Sequence, residues 1–166
     1  NTMNKELSVV FPLYENEWET FVLLWKNGPA TKMPWLRNWF GGKCEIWESV
    51  LDCAIRETQE ETAWAIVVSP ESLFEIWNVY MSDNIITFFT TYLTEKISIQ
   101  DTYAMIDIQW FSMKNTSIFL HEMLSGDDKV IQQLSNFIDN KEQYIPFRLD
   151  KTNDSKLAEQ TKNIYS

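Results

Sequence analysis

Glu57, Glu60 and Glu61 stand at i, i+3 and i+4, directly after Arg56 and downstream of Glu48. On a helix, three carboxylates at that spacing cluster on one face and repel one another. A hard divalent cation removes the penalty. Mg²⁺ takes carboxylate oxygens in octahedral geometry and shares its shell with water and phosphate oxygens, so the pattern suits a metal that carries a phosphorylated substrate, with Mn²⁺ as a substitute. Arg56 and Glu48 are placed to act as a buttressing ion pair beside it. A solvated acidic helix face is the simpler reading of a Glu-Glu pair alone, and the fixed spacing of the whole set weighs against it.

The element that must carry these groups is legible. Ser49, with Asp52 three residues on, is a capping-box-like helix start, and no Gly or Pro interrupts the chain from there to Trp64. A helix of roughly four turns is expected. Leu51, Ala54, Ile55, Thr58 and Thr62 share one face and the glutamates another, giving a buried side and an acidic side.

Together with Gly42, these positions resemble the signature of the Nudix hydrolases. Gly42, Glu48, Arg56, Glu57, Glu60 and Glu61 match as identities and Trp64 as an apolar residue. Six identities at fixed spacing arise by chance on the order of 10⁻⁷ per starting point at ordinary residue frequencies. Thr58 departs from the pattern where an apolar residue is usual, and Ala63 departs where the family has Gly. The resemblance implies an α/β fold, a Nudix-type α/β/α sandwich with a mixed β-sheet, and cleavage of nucleoside diphosphate linkages. Its metal set would be Gly42, through its carbonyl, with Glu57, Glu60 and Glu61.

The flanks are similar to the mutator-type branch, which hydrolyses oxidised purine nucleoside triphosphates such as 8-oxo-dGTP. Arg37-Asn38-Trp39-Phe40-Gly41-Gly42-Lys43 looks like its lead-in, and Asp127-Asp128 sits where that branch reads the base. By position, Asn38 would contact the purine, Asp127 and Asp128 would read its edge, and Lys43 would lie beside the phosphates. Asp127-Asp128 also reads as a helix N-terminus ahead of Val130, Ile131, Leu134, Phe137 and Ile138, and both readings hold together. The branch usually supplies a further acid shortly before a Trp-Phe pair, here Trp110-Phe111, but Ala104 occupies that place. Asp101 or Asp107 would have to substitute, and His121, the only histidine, has nothing in sequence to orient it.

Glycine usage is unusual. The chain has 4 Gly and 8 Trp, where roughly twelve Gly are expected at average usage. Trp35, Trp39 and Trp47 occupy places where the resembling family commonly has Gly, which points to Trp codons that are Gly in the native protein. An unusual family member with aromatic loops is the alternative, its tryptophans stacking on a base or blocking the pocket.

The rest of the chain sets bounds. With 166 residues and 45% hydrophobic content it is expected to form a single domain over 1–150, followed by a polar tail over 151–166. A net charge of -10 argues against a polymeric nucleic-acid partner, which would want a basic surface, and is compatible with the expected partner, a nucleoside triphosphate with its metal. Cys44 and Cys53 lack CxxC spacing and are expected to be reduced thiols. No long apolar run and no signal pattern appears, so no membrane partner and a cytoplasmic location are expected.

Strands are expected at Leu7–Tyr14, Thr20–Trp25, Ala65–Val68, Leu73–Tyr80, Ile85–Leu93, Ile106–Phe111 and Tyr144–Leu149. A hairpin turn is expected at Ser82-Asp83-Asn84 and a second amphipathic helix at Asp127–Asp139.

Overall fold

A computed structural model describes residues 5–81 and 83–149. The tail expected over 151–166, and Ser82 of the hairpin turn, lie outside these residues. Strands β1 (Lys5–Glu15), β2 (Thr20–Asn27), β3 (Arg37–Asn38), β4 (Phe40–Lys43), β5 (Phe74–Met81), β6 (Asn84–Tyr92) and β7 (Met105–Ser112) form one sheet. Its central order is β3-β2-β1-β6-β5, with β4 on β1 and β7 on β2. β1 runs parallel to β6 and every other pairing is antiparallel, so the sheet is mixed as expected.

Alternation along β1 sorts the core. Val9, Phe11 and Leu13 face helix α3 (Asp127–Asp139), with Val22, Leu24, Phe88, Val130, Ile131, Leu134 and Phe137. Val10 faces helix α1 (Val50–Glu61), with Leu23, Phe40, Phe89, Val50, Leu51 and Ala54. The result is the α/β/α sandwich, and each fully buried Phe or Leu contributes about 1.5–3 kcal/mol of transfer free energy.

Four local expectations are corrected. Ala65–Val68 is not a strand, although Ile66 and Val68 are buried; it forms a bend against the α1-side core. Tyr144–Leu149 is not a strand either: 3₁₀ turns occupy Lys141–Gln143 and Phe147–Leu149, and the Phe147 ring packs edge-on against Phe89. The first helix is shorter than read, because Thr62 caps it and Ala63 and Trp64 take left-handed backbone, φ 49° and 67°. Cys44 and Cys53 are joined in a disulfide, not held as thiols, since the β4–α1 connection doubles back and brings their Cα atoms to 5.2 Å. The short helix α2 (Ser117–Leu120) was not expected.

Candidate active site

Everything that positions the acidic helix converges at the end of β4. Ser49 accepts a hydrogen bond from the Asp52 N–H at 3.0 Å, fixing the start of α1 as its sequence spacing implied. Thr58, polar where an apolar residue was expected, is fully buried, and its hydroxyl donates to the Ala54 carbonyl at 2.7 Å. Thr62 repeats this to Thr58 and accepts from the Ile66 N–H, tying the helix exit to the following bend. The disulfide fastens the loop between Lys43 and Ser49 to the second turn of α1.

Arg56 organises the carboxylates. Its Nε and Nη2 donate to both oxygens of Glu48 at 2.6 and 2.7 Å, a bidentate pair. Nη1 donates to Glu57 at 2.9 Å and Glu60 at 3.2 Å, and Nη2 also reaches the Lys43 carbonyl at 3.1 Å. The hydrogen bond from Arg56 holds the Glu48 carboxyl below its ordinary range, and Glu48 in turn raises the Arg56 pKa.

Glu61 turns away from Arg56. Its Oε1 accepts from the Gly41 N–H at 2.6 Å. Burial pushes its pKa up to about 7, against the Gly41 hydrogen bond and with help from the Glu57 charge. Two glycines make room for this packing. A Cβ on Gly41, which has φ 148°, would collide with the Ser8 carbonyl, and one on Gly42 would lie 2.5 Å from the Glu57 carboxylate. Among the described residues, no three acidic, His or Cys side chains are gathered closely enough to hold a metal as they stand. The donor set nonetheless fits a hard divalent ion: Glu57 and Glu60 already share one cationic nitrogen, and Gly42 lies against Glu57.

The base-side residues are spread more widely. Asn38 pairs with Trp25 across β2 and β3, which puts it on the α1 face, and its Nδ2 donates to Asn27 Oδ1 at 3.0 Å. Asp127 and Asp128 open α3, on the other side of the sheet. Asp128 lines a cleft of about 520 Å³ with Trp77, Thr116, Leu120, Ile131 and Gln132. Burial raises the Asp127 pKa to about 6, a backbone hydrogen bond at Leu124 opposing it and the Asp128 charge adding to it. Lys43 is exposed, and its side-chain contact with Lys5 lowers its pKa.

Asp107 is committed elsewhere. Arg37 is almost fully buried on β3 and donates to the Asp107 carboxylate and carbonyl, both at 2.9 Å, and to Glu122 at 3.2 Å. Burial pushes the Asp107 and Glu122 carboxyls up, but Arg37 and Lys26 outweigh it and hold both below their ordinary values. No spacing in the sequence announces this network, because its members come from β2, β3, β7 and the turn after α2. Asp101 is exposed, and His121 is exposed at the end of α2, its Nδ1 3.1 Å from the Ser117 carbonyl oxygen.

Comparison with known proteins bears on the family and the fold. The NUDIX domain family model matches residues 5–134. The chain therefore belongs to the Nudix family, a class of hydrolases acting on pyrophosphate bonds. No curated protein matches it. Solved structures share the fold at low identity. A MutT/nudix family protein from Enterococcus faecalis is 21% identical with a TM-score of 0.55, covering 68% of this chain. The chain spans 45% of that protein's length. An Ap4A hydrolase from C. elegans in a binary complex is 12% identical with a TM-score of 0.61, covering 82% of this chain and 98% of its own. The NUDIX domain of Shewanella oneidensis NrtR, complexed with ADP ribose, is 18% identical with a TM-score of 0.61, covering 83% and 90%. Among the described residues no helix is long and apolar enough to cross a membrane.

Proposed function

We propose that the protein is a Mg²⁺-dependent nucleoside triphosphate diphosphatase whose leading substrates are oxidised purine nucleotides of the 8-oxo-dGTP type, giving a nucleoside monophosphate and pyrophosphate. The observation that carries it is the Arg56 hub, which holds Glu48, Glu57 and Glu60 at 2.6–3.2 Å beside Gly42. Glu57, Glu60, Glu61 and the Gly42 carbonyl would hold the ion. When bound, Mg²⁺ neutralises phosphate charge and activates water. Glu48 and Arg56 set the carboxylate geometry, and Lys43 offsets charge on the phosphates. Glu61, with a pKa near 7, sits where a carboxyl can hold or release a proton around neutral pH, and a cation beside it would return it to the charged form. Asn38, Asp127 and Asp128 would read the purine.

The test is pyrophosphate release by the purified chain with Mg²⁺, from 8-oxo-dGTP and from the four ordinary deoxynucleoside triphosphates. Preferential release from 8-oxo-dGTP supports the whole reading. Equal rates keep the hydrolase and discard the purine assignment. Asn38 and Asp128 lie on opposite faces of the sheet, which favours a second reading: a Nudix hydrolase of another nucleoside diphosphate compound. Turnover of a dinucleoside polyphosphate or a nucleoside diphosphate sugar above that of 8-oxo-dGTP would select it. The occupation of Glu57 and Glu60 by Arg56 favours a third, a Nudix-like module that binds nucleotides without turnover. Calorimetric binding with no product formed would select that one.

A further inference from the structure

We propose that Lys5 joins Lys43 in a two-ammonium clamp for the substrate's phosphates, an assignment that rests on the hydrolase reading above. Lys43 ends β4 opposite Leu7 of β1, and Lys5 lies two residues before Leu7 on the same face. Register therefore sets the two residues diagonally across β1 and β4 on one face, and both are exposed. Neither forms an ion pair with a carboxylate among the described residues. In a chain with 24 acidic and 14 basic residues, a carboxylate partner would be easy to supply. Two adjacent ammonium groups instead repel until an anion lies between them. A polyphosphate is such an anion, and any group Lys43 reaches is within reach of Lys5.

The experiment compares wild type with Lys5→Met and Lys5→Arg. KM for the hydrolysed nucleotide should rise about fivefold in Lys5→Met, kcat should stay within about twofold, the salt dependence of kcat/KM should weaken, and Lys5→Arg should restore most of the loss. An unchanged KM and salt dependence in Lys5→Met overturns the clamp. If wild type hydrolyses no nucleotide, the hydrolase reading fails by itself. The clamp is then read from calorimetric binding of inorganic pyrophosphate, where an equal affinity in wild type and Lys5→Met overturns it and a severalfold loss supports it.

A different observation carries a second inference: we infer that Trp35 and Trp64, with Trp39 and Trp47, are glycines in the natural chain, their codons being translated as Gly in the native cell. Trp35 and Trp64 hold φ 68° and 67°, a left-handed conformation that is an outlier for a bulky residue and costs glycine nothing. Neither indole is rewarded by burial, with 57% and 65% exposure, and Trp47 is 81% exposed. At this helix exit the Ala63 N–H bonds to Glu60 and the Trp64 N–H to Gln59, so Ala63 is the position where glycine is favoured and Trp64 follows it, still in left-handed backbone. Trp39 touches Phe11 and Phe88 edge-on, two residues before the Gly41-Gly42 pair.

Mass spectrometry of peptides from the protein isolated from its native cells decides the matter. Glycine at 35, 39, 47 and 64 is expected, and tryptophan at these positions overturns the inference. In the recombinant chain, Trp35→Gly and Trp64→Gly should raise the melting temperature. Trp110→Gly should lower it, because the Trp110 indole N–H is bonded to the Ile97 carbonyl.

Discussion

The two ends of the candidate site are built differently. At the α1 end, one guanidinium, a bidentate carboxylate pair, a disulfide and two glycines interlock within a few residues of β4. At the α3 end, Asp127 and Asp128 stand at a helix start beside an open cleft, with Asn38 across the sheet. Groups that must hold a phosphate and its metal need fixed geometry, because a small displacement removes the electrostatic gain. Groups that choose among bases sit on a surface that side chains reshape at little cost to the fold.

The largest expected effect breaks the α1 end. Glu60→Gln should reduce kcat for pyrophosphate release by about 10²-fold or more, with the melting temperature little changed because Glu60 is mostly exposed. Unchanged turnover would remove Glu60 from the metal set. Next comes the disulfide. Opening the short Cys44–Cys53 loop should cost about 2–3 kcal/mol on the chain-entropy estimate, read as a lower melting temperature in excess dithiol reductant. A Cys44→Ser, Cys53→Ser double variant that melts with the untreated protein would show that the backbone alone holds the loop.

Smaller effects sharpen the α3 end. Asp128→Ala should leave hydrolysis in place and reduce discrimination between 8-oxo-dGTP and dGTP about tenfold, the scale of one lost polar contact. Equal discrimination in the variant would move base reading away from α3.

The same contrast explains what could be read from the chain. The acidic helix, its Ser49 start and the span of α3 were legible because each is a local pattern of charge, cap and period. The bidentate Arg56–Glu48 pair was legible because both residues belong to one spacing motif. The Arg37 network and the Glu61–Gly41 bond were not, because their partners meet only when β3 meets β7 and β4 meets α1. The disulfide escaped for a related reason: nine residues of separation says nothing until the β4–α1 connection is seen to double back. Tyr144–Leu149 has strand-like composition, yet its apolar residues cap the sandwich through isolated contacts such as that of Phe147 with Phe89.

The smallest effect tests whether Asp127 serves the fold or the ligand. Its folded pKa of about 6 lies above the ordinary 3.8, with burial as the main cause. An acid raised on folding contributes stability that is fully present below its unfolded pKa and is lost as pH rises through its folded pKa. Between pH 4 and 7 the wild type should therefore lose stability that Asp127→Asn keeps. A shift of this size in a fully buried group would be worth about 3 kcal/mol. Asp127 is only partly buried, and solvent screening reduces the expected difference to under about 1 kcal/mol at pH 7. Melting temperatures of the two proteins should converge near pH 4 and separate by a few degrees near pH 7, with Asp127→Asn the higher. A wild type that is the more stable at pH 7 would mean that the charged carboxylate caps α3. The Asp127 charge would then be held in place by the helix, and its position at the start of α3 would need no nucleotide to explain it.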